Sequence, residues 1–309
     1  MNATSGTPTK VIADAADRVD KVVARAFPRA GRRQLSRMFD DGAVRVRGKL
    51  AAKGDRVAIG DEIELAYTPA TADDLRPVAD PDAMARLAVL VELPGLIVVD
   101  KPAGMPSQPL RAGERGTAAN GIAARWPECA ALGAPDVRDG GLAHRLDIGT
   151  SGALAAARTP DSYAALRAAF ARGAVDKQYL AITCGRPAAT SCEAPLAQRG
   201  DHVAIDAAGL DAVTEFVVER ANATHALVRC TARTGRMHQI RAHLAHVGSP
   251  IAGDARYGGT SPADVDTGFF LHAARLALPP HGDDAAVVVD APLPERFSRA
   301  LAAVKLEAK

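Results

Sequence analysis

Three stretches between Val175 and Ala232, "VDKQYLAI", "VTEFVVER" and "HALVRCTA", follow one another with no helical period between them. Each is rich in β-branched or aromatic residues, which suit a pleated, half-buried surface, and Val175, Lys177 and Tyr179 fall on one face of the first. A doubly wound sheet needs a helix after nearly every strand. Strands that succeed one another with few helices between them predict an α+β domain instead. Helices flank this run. Thr159 and Pro160 supply an N-cap and a first-turn residue, Leu166 and Phe170 lie one turn apart, and Gly173 closes that helix. After "RTGR" a second helix carries Met237, Ile240, Leu244 and Val247, and Gly248 and Pro250 end it.

At 309 residues the chain is long enough for one large domain plus a smaller appendage. The large domain begins near "GLIVVDKPAG", where the aliphatic run Leu96–Val99 predicts a buried strand entering a tight turn at Asp100, Pro102 and Gly104. The appendage lies before it. Val19, Val22, Val23, Ala26 and Phe27 form the apolar stripe of one helix ended by Pro28, and Leu35, Met38 and Phe39 mark a second. The period then changes to two in "AVRVRGKL" and "GDEIELAY". This reading divides the chain into a disordered tail 1–17, a helix-helix-strand module 18–66, a linker 67–90 and the large domain 91–309.

Charge is uneven along the chain. Arg18 to Arg56 holds twelve Lys/Arg against four Asp, a net of +8, while the whole chain carries +2. Such a concentrated cation fits a polyanion partner, with a solvated basic face as the plainer alternative. The N-terminus lacks the layout of a secretory signal, and no apolar run is long enough to cross a bilayer, so a cytoplasmic protein without membrane contact is expected. Cys129, Cys184, Cys192 and Cys230 form no CxxC pair and are expected to be reduced and structural.

Familiar catalytic patterns fail on spacing. "GTSG" lacks the residue that separates serine from the second glycine in a nucleophile elbow. No HExxH, Walker loop or GxGxxG occurs, so a metal, nucleotide hydrolysis or a dinucleotide cofactor is not indicated. What remains is Asp147 in "GLAHRLDIGTSG", a carboxylate with Arg145 two residues before it, in a stretch little suited to a core. Positive neighbours favour the carboxylate over the acid, which suits a nucleophile or base. A glycosidase needs a second carboxyl group that keeps its proton, and no comparable motif supplies one.

"HRLDIGTSG" (144–152), "KQYLAI" (177–182), "TGRMHQIRAHLAHVGSPIAGDARYG" (234–258) and "FFLHAARL" (269–276) resemble, in order and spacing, the successive motifs of RluA-type pseudouridine synthases. "KPAG" (101–104) agrees with them. The N-terminal module resembles the alpha-L RNA-binding fold, with Val46, Arg47 and Gly48 where that fold usually has Val-Asn-Gly. The resemblance implies a mixed, mainly antiparallel central sheet with flanking helices, no cofactor, and conversion of uridine in RNA to its C-glycoside isomer. The module favours large-subunit ribosomal RNA by family analogy, with transfer RNA as the alternative, and a monomer is expected.

Residue by residue, the resemblance makes Asp147 the catalytic aspartate, puts Tyr179 against the extruded uracil, and pairs Arg241 with Asp147. Arg145 enters the gap that the uridine leaves in the stack, and Leu271 walls the pocket or belongs to the core. His144, Thr150, Lys177, Arg236, His238 and Gln239 complete the expected substrate contacts. Arg32, Arg33, Arg37, Arg45, Arg47 and Lys49 are the expected RNA contacts of the module. The chain departs from the family at Gln108, where His is usual, at Met237, where Thr is usual, and in the Ala-rich strand "ALAAAR". Two other readings stay in play: an RNA-binding or ribosome-assembly protein of the same fold without turnover, and a nucleoside hydrolase that releases free uracil.

Overall fold

A computed structural model describes residues 8–28, 30–69, 73–133, 136–262, 268–280 and 285–306, with the side chains of Arg32, Arg33 and Asp73 outside the described set. The chain divides into two compact units, residues 1–76 with 110–113, and residues 77–109 with 114–309.

The first unit runs β1 (Thr9–Ile12), β2 (Asp17–Arg18), α1 (Val19–Ala26), α2 (Arg32–Asp40), β3 (Val44–Val46), β4 (Lys49–Leu50), β5 (Arg56–Val57) and β6 (Glu62–Leu65). Helix α1 buries Val19, Val22 and Val23, and α2 adds Leu35 and Met38 to the same cluster, as their helical spacing predicts. Strands β3 and β4 meet in a two-residue hairpin whose turn residues, Arg47 and Gly48, both have positive φ. Such a turn matches the twist of the strands it joins. Arg47 occupies the position that Asn would adopt at lower cost, and its guanidinium bonds to Asp61.

The expected disordered tail 1–17 is corrected in part. Thr9–Ile12 pairs with β6 from Thr9↔Leu65 to Ile12↔Glu62 and buries Val11. Four residues with one inward side chain leave too little period to be read from sequence. The segment 67–90, expected as a linker, contains α3 (Pro81–Ala85) and the start of β7 (Ala88–Glu92). Asp80 caps α3 by accepting from the Ala83 amide, which lets five residues close a helix.

The second unit continues with β8 (Leu96–Lys101), α4 (Ala118–Arg125), β9 (Ser151–Ala157), α5 (Pro160–Ala171), β10 (Asp176–Cys184), β11 (Ser191–Cys192), β12 (Leu196–Arg199) and β13 (His202–Ile205). It ends with β14 (Thr214–Ala221), β15 (His225–Ala232), α6 (Gln239–His246), β16 (Leu271–Leu278), β17 (Val287–Asp290) and α7 (Glu295–Ala303). Among the described residues one sheet of nine strands has the order β11-β14-β15-β10-β16-β9-β8-β7, with β17 also on β16. All its pairs are antiparallel except β16–β9. The α+β class with a mixed, mainly antiparallel sheet and flanking helices is therefore correct.

Strand β9 is buried along its whole length although it is nearly all small residues. Gly152 lies inside it at φ +112, and a Cβ there would sit 2.3 Å from the Ala273 carbonyl oxygen. The backbones of β9 and β16 thus approach more closely than any side chain allows. Ile97, Val99, Leu154 and Ala156 share one cluster with α4, while Val98, Ala153 and Ala155 share another with Leu166 and Phe170 of α5. This alternation gives β8 and β9 two covered faces, and the turn that carries Asp147 leads directly into β9.

Candidate active site

The turn around Asp147 is fixed by backbone bonds before any side-chain chemistry begins. The Thr150 amide donates to the Asp147 carbonyl at 3.0 Å, and the Gly104 amide donates to the Ile148 carbonyl at 2.7 Å. Ser107 Oγ both donates to the Leu146 carbonyl and accepts from the Leu146 amide. Lys101 is fully buried, and its ammonium donates to the carbonyls of Pro102, Met105 and Ile148 at 3.0, 2.7 and 3.3 Å. Burial pushes its pKa down to about 7 against the opposing charges of Asp147 and Asp100. One cation therefore ties the turn after β8 to the turn before β9.

The Asp147 side chain is 24% exposed, and its Oδ2 accepts from Arg241 Nη1 at 3.0 Å. Its Oδ1 has no partner among the described residues. Arg241, on α6, is buried and donates from Nε and Nη2 to the two oxygens of Asp254 at 2.7 and 2.9 Å. This bidentate pair uses the planar fork of the guanidinium. Aromatic rings cover Arg241 as well: its Cζ lies 4.3 Å from the Phe269 ring centroid and 5.0 Å from that of Tyr257. Phe269 in turn packs on Gly149, where a Cβ would stand 2.6 Å from the ring.

His238 Nε2 lies 3.8 Å from Asp147 Oδ2, and its Nδ1 lies 3.0 Å from the Tyr257 hydroxyl, which also accepts from the Val203 amide. The backbone of His238 is left-handed at φ 51, a conformation that a non-glycine residue keeps only when its surroundings hold it. Burial draws its pKa below the ordinary imidazole value, with Asp147 pulling the other way. Tyr179, on β10, is partly buried and packs against two core clusters. Burial first, then the Asp147 charge, pushes its phenol above the ordinary range. Leu271 is buried in one of the same clusters, so wall and core describe one side chain.

The structure thus brings Asp147, Arg241, His238 and Tyr179 together. Other expected contacts lie elsewhere. Arg145 is exposed and makes no ion pair with Asp147 among the described residues. His144 accepts the Ala155 amide with Nε2 and stacks on Phe170 at 4.6 Å. Lys177 is buried with its ammonium 5.9 Å from the same ring. The Gln239 amide nitrogen donates to the Val213 carbonyl and Thr214 Oγ1, and its oxygen accepts from Thr234 Oγ1 and the Arg236 amide. It is the internal brace of the "RTGR" loop. Arg236 is exposed and donates to the Asp211 carbonyl, and Thr150 is buried within the turn.

Sequence reasoning assigned nothing to Lys101, Asp254, Tyr257 or Phe269. The last three lie in the motif stretches 234–258 and 269–276, so their place was visible and their partners were not. In the first unit, Arg37 and Arg47 face Asp41 and Asp61, while Arg45 and Lys49 have no carboxylate partner among the described residues. The side chains of Arg32 and Arg33 lie outside the described residues. No described helix is long and apolar enough to cross a membrane.

Residues 95–246 match the RNA pseudouridylate synthase family. The chain is 32% identical over 306 residues to the ribosomal large subunit pseudouridine synthase D of Xanthomonas campestris pv. campestris, covering 93% of this chain and 89% of that protein. It is 30% identical to the protein of the same name from Pseudomonas aeruginosa, covering 91% and 89%. Human RNA pseudouridylate synthase domain containing 1 superposes with a TM-score of 0.54 at 25% identity, over 70% of this chain and 86% of that one. The domain containing 4 protein gives 0.58 at 23% identity, over 74% and 96%, and shares the fold. With a carboxylate turn, its guanidinium partner and a neighbouring tyrosine on this sheet, the chain belongs to the RNA pseudouridylate synthase family, isomerases that act on RNA.

Proposed function

We propose that this enzyme isomerises particular uridines of large-subunit ribosomal RNA, with Asp147 as the catalytic carboxylate. The observation that carries the reading is the partly exposed Asp147, with Oδ2 on Arg241 and Oδ1 unbonded among the described residues. One oxygen is oriented and the other is available to the ribose of an extruded nucleotide while the glycosidic bond breaks and re-forms through C5. The curated relatives' names support ribosomal RNA as substrate.

A base inside a helix cannot reach such a carboxylate, so the target uridine must leave its stack, at a cost of a few kcal/mol. Tyr179 offers the uracil a stacking face worth about 1–3 kcal/mol. Arg145, exposed beside the turn, fills the space the base vacates, and Leu271 closes the wall behind it. The enzyme works as a cytoplasmic monomer without a cofactor.

The test is to map pseudouridine by carbodiimide-blocked primer extension in a strain that lacks this protein, complemented with the wild type or with Asp147→Ala. The reading expects one or more large-subunit sites to be lost, and to return only with the wild type. Loss confined to transfer RNA overturns the substrate. Restoration by Asp147→Ala overturns the role of the carboxylate.

A further inference from the structure

His238 is held in a strained conformation beside the catalytic carboxylate. It stands at the N-cap of α6 with φ 51, in the left-handed region, where a non-glycine residue carries a strain of about 1–3 kcal/mol and persists only when its surroundings hold it. Tyr257 does the holding: its ring meets the imidazole edge-on at 5.8 Å, and its hydroxyl lies 3.0 Å from Nδ1. That hydroxyl accepts from the Val203 amide at 3.0 Å, so its own proton is left to donate, and Nδ1 is its acceptor among the described residues. A neutral ring whose Nδ1 accepts carries its proton on Nε2. Burial, opposed by Asp147 and helped by Arg241, draws its pKa below the ordinary imidazole value, so the ring stays neutral. Its Nε2–H stands 3.8 Å from Asp147 Oδ2, too far for a hydrogen bond, while Oδ2 takes Arg241 Nη1 at 3.0 Å. Nε2 has no other partner among the described residues, and the side chain is 13% exposed. The strain therefore presents one oriented, unbonded donor to the space in front of Asp147.

We propose that His238 is a catalytic residue: its Nε2–H donates to a uracil carbonyl oxygen as that oxygen gains charge on rupture of the N1–C1′ bond. The assignment rests on Asp147 being the catalytic carboxylate. On cleavage the bonding pair stays with uracil, spread over N1, O2 and O4, while Asp147 supports the electron-poor ribose. The imidazole shares its proton without transferring it. The pair then forms the C5–C1′ bond, the C5 proton passes to N1 through water, and the charge on oxygen is gone. A donor already fixed in place needs no reorganisation at the moment the charge develops. Neutrality matters too, because an imidazolium would pair with Asp147 instead of with the departing base.

The experiment uses a large-subunit RNA fragment around the mapped site, synthesised with uridine or with 5-fluorouridine at the target position. Single-turnover rates are measured for the full-length wild type, His238→Asn, His238→Gln and Asp147→Ala, each with a thermal melt. Loss of the target nucleoside, read by digestion and chromatography, reports cleavage whatever follows it. Asparagine takes the left-handed backbone at low cost, and its amide ends where Nδ1 stands, so His238→Asn keeps a partner for Tyr257 and offers the cleft no donor. Its rate on uridine is expected to fall by about 100-fold or more, the worth of one donor at a developing charge. Fluorine withdraws electrons from the ring and stabilises the detached anion, so on 5-fluorouridine the same variant is expected to lose no more than about 10-fold. The carboxamide of glutamine reaches the place of Nε2, and His238→Gln is expected to stay within about 10-fold of the wild type on uridine. A His238→Asn enzyme with the wild-type rate, or with equal losses on the two nucleosides, overturns the proposal. Should His238→Asn melt below the assay temperature, His238→Gln decides instead, and a loss on uridine beyond about 10-fold overturns. Cleavage by Asp147→Ala removes the parent reading, whereas a silent Asp147→Ala beside a fully active His238→Asn removes only the role of His238.

Discussion

His144 accepts the Ala155 amide with Nε2, so the fold requires the neutral imidazole, and burial pushes its pKa down to about 3, with Lys177 adding to the shift. In the unfolded chain an imidazole protonates near 6.5, so between those two values the unfolded state binds the extra proton. Stability therefore falls as pH falls, by about 2 kcal/mol between pH 7 and pH 5 for this group. Denaturant titrations at the two pH values check this, and His144→Gln, which keeps an acceptor but no titrating proton, is expected to flatten the difference. Equal pH sensitivity in the variant contradicts it. At Tyr179 the ring face is what the reading uses, so Tyr179→Phe is expected to keep kcat/KM within about threefold. Tyr179→Leu is expected to lower it by about 10- to 100-fold, the worth of one stacked base. Asp147, Arg241 and Tyr179 were legible because the family resemblance assigns a role to each of those motif positions. Asp254, Tyr257 and Lys101 were not, because what a buried cation touches is decided by tertiary placement. Gln239 and His144 stand in the same motifs yet brace a loop and a strand, and nothing local separates a brace from a contact.

Elements with several inward residues were legible, and shorter ones were not. Helices α1 and α5 end two residues before their stop signals Pro28 and Gly173, and β10, β14 and β15 form where their sequences predict, with three short strands, β11 to β13, between the first two. Strand β8 runs two residues beyond Val99, through Asp100 and Lys101, because Lys101 finds three carbonyls inside the fold. Strand β1 and the β12–β13 hairpin, which packs Leu196 and Val203 near Ala242 of α6, are four-residue strands that carry too little period to announce themselves. The Ala-rich β9 looked weakly filled. Gly152 is what allows β16 to approach, because β9 meets β16 only at Ser151 and Gly152. Gly152→Ala puts a Cβ against the Ala273 carbonyl at φ +112 and is expected to destabilise the protein by more than about 2 kcal/mol. Thermal unfolding checks this, and an unchanged midpoint contradicts the close approach.

For the whole molecule, composition showed a cationic N-terminal segment but not how its charge is distributed. Arg18, Arg25, Arg37, Arg47 and Lys53 each face a carboxylate, but only Asp14, Asp17 and Asp61 among these partners lie outside Arg18–Arg56, so local pairing takes the +8 down by three and leaves a net cation. Arg45, Lys49 and Arg56 have no carboxylate partner among the described residues, and we propose them as phosphate contacts. Replacing these three by alanine is expected to weaken RNA binding and to reduce the slope of log K against log salt by about 2, on the basis of about 0.7 per phosphate for single strands. Fluorescence titrations from low to moderate salt read this directly, and an unchanged slope removes these residues from the interface. Family and class were legible at this scale because the motifs span most of the chain, whereas the boundary between the units was only coarsely visible. The central claim is that one partly exposed carboxylate, oriented by a single N–H of Arg241, performs the isomerisation. Its most direct measurement is single-turnover conversion of large-subunit ribosomal RNA by the purified wild type and by Asp147→Asn, with pseudouridine and free uracil separated by chromatography. The account predicts pseudouridine and no free uracil from the wild type, and a rate lower by at least about 100-fold from the variant. Equal rates, or uracil as the product, contradict it.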